Sequence, residues 1–377
     1  MKTKYFISSL ALLLVVDHSL ANTAYVSADG NGNGNTIDSP ASINMLNNLL
    51  SDPDISTIHL LSGTYKQNDT LFIEHGDHHV NIIGEDEVIF SSNYNYSPGG
   101  SSGLIVARSN ISFKNINFLN TRYCFRFKNF NVENVHIDNI TAHNTMSCID
   151  FDSNITEKVS NITINNLKSL GYHKAGIRIN GSSPENITIK NSVFDGLASS
   201  NDAERSCHIT GISISGSTKN IFIQDVSIAN NIGGLENCGS YQQGDGIVIN
   251  SEAKNVSILN TIVANSKDAD FDIKGENTTL VGITSSSGKE ARYNLKLWNN
   301  NFTCTNCYVN AANQQAVQAI DAQVQFIDST FKIKDNSELC DLRNYTNAIS
   351  KISFIRSQFS YQGDLTSIPS KMTGCEQ

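Results

Sequence analysis

Gly246-Ile-Val-Ile-Asn250, Asp270-Phe-Asp-Ile-Lys274 and Asn294-Leu-Lys-Leu-Trp298 can be written one beneath another at a constant offset of 24 residues. In each, apolar residues alternate with others, the period-two pattern of a strand with one face in a core. The same grammar extends in both directions. Gly176-Ile-Arg-Ile-Asn180 is followed by Asn186-Ile-Thr-Ile189, Gly211-Ile-Ser-Ile-Ser215 by Asn220-Ile-Phe-Ile223, and Gly246–Asn250 by Asn255-Val-Ser-Ile258. The second-strand asparagines Asn110, Asn134, Asn161, Asn186, Asn220, Asn255, Asn277 and Asn301 recur at intervals of 24, 27, 25, 34, 35, 22 and 24.

A period in the twenties built from strands means a solenoid, because one coil cannot bury its apolar face alone and stacked coils can. The Leu spacing and helical segments of leucine-rich repeats are absent. The expected fold is all-β: a single-stranded, right-handed parallel β-helix with an N-terminal capping helix. Tyr25-Val-Ser-Ala-Asp-Gly30 reads as a first strand and Ile43 to Leu50 as a short amphipathic helix that shields the open end of the core. Ile58-His-Leu-Leu-Ser-Gly-Thr-Tyr65 begins the coils. This opening resembles that of many secreted β-helix carbohydrate enzymes, pectate lyases among them.

Residues 1–21 read as a secretory leader: a basic start, an apolar run from Tyr5 to Val16, and small residues at Ser19 and Ala21. The run is too short to span a bilayer and no other stretch is long enough. Residues 22–377 are then expected as one domain, with an N-terminal cap over about 22–55 and a C-terminal cap over about 337–377. The protein is expected to be secreted or periplasmic, monomeric, and without a membrane span.

The formal charge is −9, and loss of Lys2, Lys4 and Asp17 with the leader makes it −10. An acidic chain with no basic stripe is a poor nucleic-acid binder, since phosphate contacts need clustered Lys and Arg. An acidic polymer is also a poor match unless a cation or a local basic cluster intervenes. All eight cysteines follow the leader, which in a secreted chain suggests disulfides. The candidate pairs are Cys124–Cys148, Cys207–Cys238, Cys304–Cys307 and Cys340–Cys375. The two long intervals place extra residues in loops Ala198–His208 and Gly233–Gly244, and a Cys207–Cys238 bond would tie these together as one wall of a groove. Asn-x-Ser/Thr sequences such as those at Asn161 and Asn186 are read as turn grammar and interior amide ladders. His75, His78 and His79 are read as a solvated polar turn.

The alignment at offset 24 brings a site together. If Ile247, Phe271 and Leu295 stack inward, Val248, Asp272 and Lys296 form one outward column. Asn250, Lys274 and Trp298 form a second, and Gly246, Asp270 and Asn294 a third. Asp268, Asp270 and Asp272, at i, i+2 and i+4, are expected on one outer face, with Asp245 on the neighbouring rung and Arg292 beside Lys296. Clustered carboxylates repel unless protonated or neutralised, and oxygen-only ligands suit Ca2+. Asp150, Arg178 and Arg126 occupy the same outward column in earlier coils, so a salt bridge between rungs accounts for charge there equally well.

Gly244-Asp-Gly246, the cluster Asp268-Ala-Asp-Phe-Asp272 and Lys296 in Asn294-Leu-Lys-Leu297 together resemble the pectate lyases of polysaccharide lyase family nine. Those enzymes have a Gly-Asp-Gly-like turn, an acidic cluster one coil later, and a lysine one coil further. The family cluster has two adjacent aspartates and a third further on, whereas here they alternate, and the likeness at the level of the site covers residues 244–298 only. It implies calcium ligation by Asp245, Asp268, Asp270 and Asp272 and a general-base role for Lys296, with Arg292 assisting. The implied reaction is β-elimination on an acidic polysaccharide, the cation lowering the cost of removing the C5 proton. Lys274, Asn250, Asn294 and Trp298 would line the substrate, Trp298 by stacking on a sugar face. Two other classes stay open: a non-catalytic glycan-binding or adhesin-like β-helix, and a glycoside hydrolase of the polygalacturonase type. The Cys207-His-Ile-Thr-Gly-Ile-Ser-Ile214 stretch echoes the latter's His region, but its Arg-x-Lys strand is missing.

Overall fold

The computed structural model describes residues 22–67, 69–94, 103–196, 207–232, 243–286, 292–311, 315–334, 337–361, 364–366 and 375. The expected leader, Cys238, most of both long loops and part of the expected C-terminal cap lie outside these residues. Within them the chain is an all-β parallel solenoid of about 11 turns with one short N-terminal helix.

One face is an 11-stranded parallel sheet running from Thr70–Ile73 to Glu338–Arg343. The other faces share longer strands. Val132–His143 and Val159–Leu170 each run 12 residues round a corner, whereas later coils split the same path into two pieces such as Pro184–Lys190 and Val193–Asp195. Ile, Val, Leu and Phe from every face meet in one continuous core. Strands pair coil to coil, so backbone groups are satisfied between rungs, and the helix Leu46–Ser51 buries Leu46, Leu49 and Leu50 over the open end. Arg108, itself buried, fastens that cap by donating to the carbonyls of Leu50, His75 and His78.

The asparagine repeat has a definite geometric cause. Asn110, Asn134, Asn161, Asn186, Asn220, Asn255 and Asn277 all have φ between 55° and 59°, the left-handed region that Asn tolerates best after Gly. Each amide after Asn110 donates to the side-chain carbonyl oxygen of the Asn one coil earlier, from Asn134→Asn110 at 2.9 Å to Asn277→Asn255 at 3.2 Å. The ladder is exposed at a corner rather than interior as expected, because a residue at φ near +57° turns the chain and leaves its side chain outside. Asn301 does not join it; Asn299, at φ 61°, takes the left-handed position in that coil. A second spacing accompanies the first: Asn110, Asn115 and Asn120, then Asn134, Asn139 and Asn144, are left-handed corners five residues apart.

Three disulfides have the expected partners: Cys124–Cys148, Cys304–Cys307 and Cys340–Cys375.

Candidate functional site

The 11-stranded face carries the site, and its register is the predicted one. Val248 pairs with Asp272 and Asp272 with Lys296, while Phe271 pairs with Leu295 beside them in the core. The outward column is continuous through Arg126, Asp150, Arg178, Ser213, Val248, Asp272, Lys296 and Gln318.

Four of the predicted charged residues converge in two contacts. Lys296 Nζ lies 3.0 Å from Asp268 Oδ2, and Lys274 Nζ lies 2.8 Å from Asp272 Oδ2. Trp298 Nε1 donates to the other oxygen of Asp272 at 2.8 Å, and its ring has the Lys274 and Lys296 ammonium groups 5.3 and 5.5 Å from its centre. Arg292 is more remote, 3.9 Å from Asp268 and half exposed. Asp245 is buried and accepts a hydrogen bond from the Ala269 backbone N–H at 3.0 Å. Asn250 sits half-buried on the rung before Lys274, and its backbone N–H donates to Ile214.

Asp270 and Asn294 do not join this patch. Both are buried on the far side of the strand, where Ser285 Oγ donates to Asp270 Oδ2 at 2.6 Å and Asn294 Nδ2 donates to Ser285 Oγ at 2.8 Å. The expectation that Asp268, Asp270 and Asp272 share one outer face therefore fails for Asp270, and Asn294 is a strut rather than a groove residue. The reason lies in the column they occupy. Pairing skips this position between successive rungs, so strict alternation breaks there. In earlier coils the column holds the Cys124–Cys148 disulfide in the core, then Gly176, Gly211 and Gly246. A Cβ at Gly246 would lie 2.1 Å from Val263, and one at Gly211 2.4 Å from Ile228, so the column points at the opposite wall of the coil. Where that wall carries Ser285 rather than Ile or Val, polar residues replace glycine.

The electrostatics follow from burial. Asp245 is held well above the usual carboxylate range by desolvation and by the charges of Asp272 and Asp268, against the pull of Lys296 and the Ala269 N–H. Burial pushes Asp270 up to about 7, although hydrogen bonds from Ser285 and Ser266 oppose it. For Lys296, burial alone lowers proton affinity, but Asp272, Asp268 and Asp245 together reverse the sign and hold it above the ordinary lysine range. As placed, Lys296 is an ammonium group.

The donor set fits calcium by its chemistry: Asp245, Asp268 and Asp272 offer only oxygens, and Asp245 is a buried carboxyl whose ionised form a cation would favour. Among the described residues, however, no three such side chains are gathered around one point as they stand. The cause is visible: Asp268 and Asp272 are turned toward Lys296, Lys274 and Trp298.

Sequence reading missed Tyr293, whose ring centre lies 5.4 Å from Lys296 Nζ, and Asn300, which donates to the Lys274 carbonyl at 2.8 Å. Tyr293 was reachable by carrying the alignment three residues upstream, since Thr210, Asp245, Ala269 and Tyr293 form one column. Ser285 was not reachable that way, because it arrives from a different face of the coil.

No family model and no curated protein matches the sequence. Among solved structures, the periplasmic alginate epimerase AlgG matches with TM-score 0.56 and 10% identity, over 82% of this chain and 74% of that one. Pectate lyase Pel9A matches with TM-score 0.45 and 13% identity, over 94% and 81%. The Streptococcus pneumoniae surface protein and adhesin PfbA matches with TM-score 0.48 and 13% identity, over 87% and 99%. At 10% identity the likeness to the epimerase bears on the right-handed β-helix fold alone and leaves the activity to be argued from the site.

Proposed function

We propose that the protein is an extracytoplasmic polysaccharide lyase that cleaves a uronic-acid polymer by calcium-assisted β-elimination. One observation carries this reading. Asp245, Asp268, Asp272 and Lys296 lie on three successive rungs of one sheet, with the Lys296 amine 3.0 Å from the Asp268 carboxylate. Three disulfides support an oxidising compartment.

Asp245, Asp268 and Asp272 would hold the ion, which when bound supplies positive charge to neutralise the uronate carboxylate and the negative charge that develops beside C5. Lys296 then works through the balance already described. Its buried position lowers its proton affinity, and the aspartates are what raise it. Once those carboxylates are compensated, burial prevails and the amine is free to act as a base near neutral pH. Neutral Lys296 takes the C5 proton, the C4–O bond breaks, a C4=C5 double bond forms, and the departing oxygen takes a proton from water. Arg292, half exposed at the rim, meets the substrate's negative charge, and Trp298 borders the same surface.

The test is absorbance near 235 nm on mixing with polygalacturonate or alginate, where only elimination gives an unsaturated product. Chelation of calcium abolishes the signal, and Lys296→Ala reduces it by about 10³-fold with the thermal melt intact. Reducing ends without absorbance would mean hydrolysis; binding with neither would mean a glycan-binding protein.

A further inference from the structure

The side chain of Asp272 is only 6% exposed, and both of its oxygens are taken. Trp298 Nε1 donates to Oδ1 at 2.8 Å, and the Lys274 ammonium holds Oδ2 at 2.8 Å. A buried carboxylate is costly to leave unpaired, and Lys274 supplies the charge that neutralises it.

This pair is built differently from the other buried aspartate pairing on the face. Asp150 lies between Arg126 and Arg178, which arrive from the rungs on either side, and Arg126 is held by Asp152 as well. Lys274 comes from the same rung as its acid, and Asp272 is its one acid partner among the described residues. Its backbone is fixed independently of that pairing. The Lys274 N–H donates to the Ile249 carbonyl at 2.7 Å, and the Asn300 amide donates to the Lys274 carbonyl at 2.8 Å. The side chain is 27% exposed, and Nζ already lies 5.3 Å from the centre of the Trp298 ring, a surface that attracts an ammonium without a carboxylate. The ammonium can therefore leave Asp272 without any strand moving.

We propose that Lys274 is an internal counter-ion that calcium must displace, so that this one side chain sets the affinity of Asp245, Asp268 and Asp272 for the cation. The inference rests on the calcium reading above. Like charges a few ångströms apart repel, so an ammonium and a divalent ion do not share Asp272 Oδ2. The Trp298 hydrogen bond is to a neutral donor and does not oppose the exchange. Lys296 faces Asp268 in the same manner, but it is the proposed base, and its variants would not separate the two roles.

The experiment uses the full chain, stripped with chelator and titrated with calcium chloride by isothermal calorimetry. Lys274→Gln, which can still donate a neutral hydrogen bond, is expected to bind calcium about ten-fold tighter than the unsubstituted chain, because no charge-assisted bond has to be broken first. Lys274→Arg, which keeps the charge, is expected to bind no tighter than the unsubstituted chain. A second measurement needs no variant and stands if Lys274→Gln disturbs folding: reductive methylation of the unsubstituted chain, read lysine by lysine by mass spectrometry. Calcium is expected to speed labelling of Lys274 several-fold and to leave Lys254, paired with Glu276 on the other sheet, unchanged. Calcium binding by Lys274→Gln alone would support the proposal as its extreme case. Unchanged or weaker binding by Lys274→Gln, equal tightening by Lys274→Arg, or labelling of Lys274 that calcium does not alter would each overturn it, and calcium binding by the unsubstituted chain would then leave the lyase reading in place. No binding by any of the three proteins would remove the calcium reading and this inference with it.

Discussion

Asp150 and Asp245 are both buried aspartates on the 11-stranded face, three rungs apart in the stack, and they are stabilised in opposite ways. Asp150 lies between two guanidinium groups, Arg126 at 3.1 Å and Arg178 at 2.6 Å. Asp245 has a backbone N–H and two neighbouring carboxylates that repel it. A buried anion matched by cations is part of the scaffold, because removing it leaves those cations facing one another. A buried carboxyl whose neighbours raise its proton affinity costs folding energy once ionised, and such costs persist mainly where a ligand relieves them. Asp150 is therefore read as scaffold, and Asp245 as the position where the proposed cation would relieve a cost.

The largest test of this contrast is Asp150→Ala. It leaves Arg126 and Arg178 partly buried and mutually repelling, and is expected to destabilise the fold by about 3–5 kcal/mol in urea titration. A loss below about 1 kcal/mol would show that solvent screens the pair and that the contrast is unreal.

Next comes pH. The folded-state proton affinities of Asp270, about 7, and of Asp245 lie above the unfolded carboxylate value of about 3.9. The folded protein thus binds more protons than the unfolded chain in this range, so stability in chelator falls as pH rises from about 4 through 7. Asp270→Asn keeps an oxygen for Ser285 and is expected to flatten part of that slope, raising the urea midpoint at pH 7.5 relative to pH 4.5. An unaltered slope would mean Asp270 is ionised at no cost.

Calcium sharpens the comparison further. Added to the unmodified chain at a hundred times its dissociation constant, it is expected to add roughly 2.7 kcal/mol of stability by mass action. Asp245→Asn should lose most of that gain, whereas a variant of the lower cluster, Asp152→Asn, should keep it. Equal gains in both would place the cation elsewhere.

The smallest effect belongs to the corner ladder. Asn186→Ala forces an alanine to φ 55° and removes one rung of side-chain hydrogen bonding, for a loss of about 1–2 kcal/mol by thermal melt. Asn186→Gly, which keeps the turn but not the ladder, separates the two contributions.

The coil, the register of the 11-stranded face and the outward column from Arg126 to Lys296 follow from local patterning alone. Alternation at period two and recurrence in the twenties are properties of adjacent residues, and stacking merely repeats them. The left-handed corners were equally present, since Asn at five-residue steps is a local preference. Two decisions waited for the folded coil. One is the fate of Asp270 and Asn294, which alternation sends outward and the kinked column sends inward to Ser285. The other is the pairing of Lys296 with Asp268 rather than with Asp272, its neighbour in register. Both depend on which side chain arrives from another face or another rung. That is a distance set by how the coil closes, and no spacing along the chain encodes it.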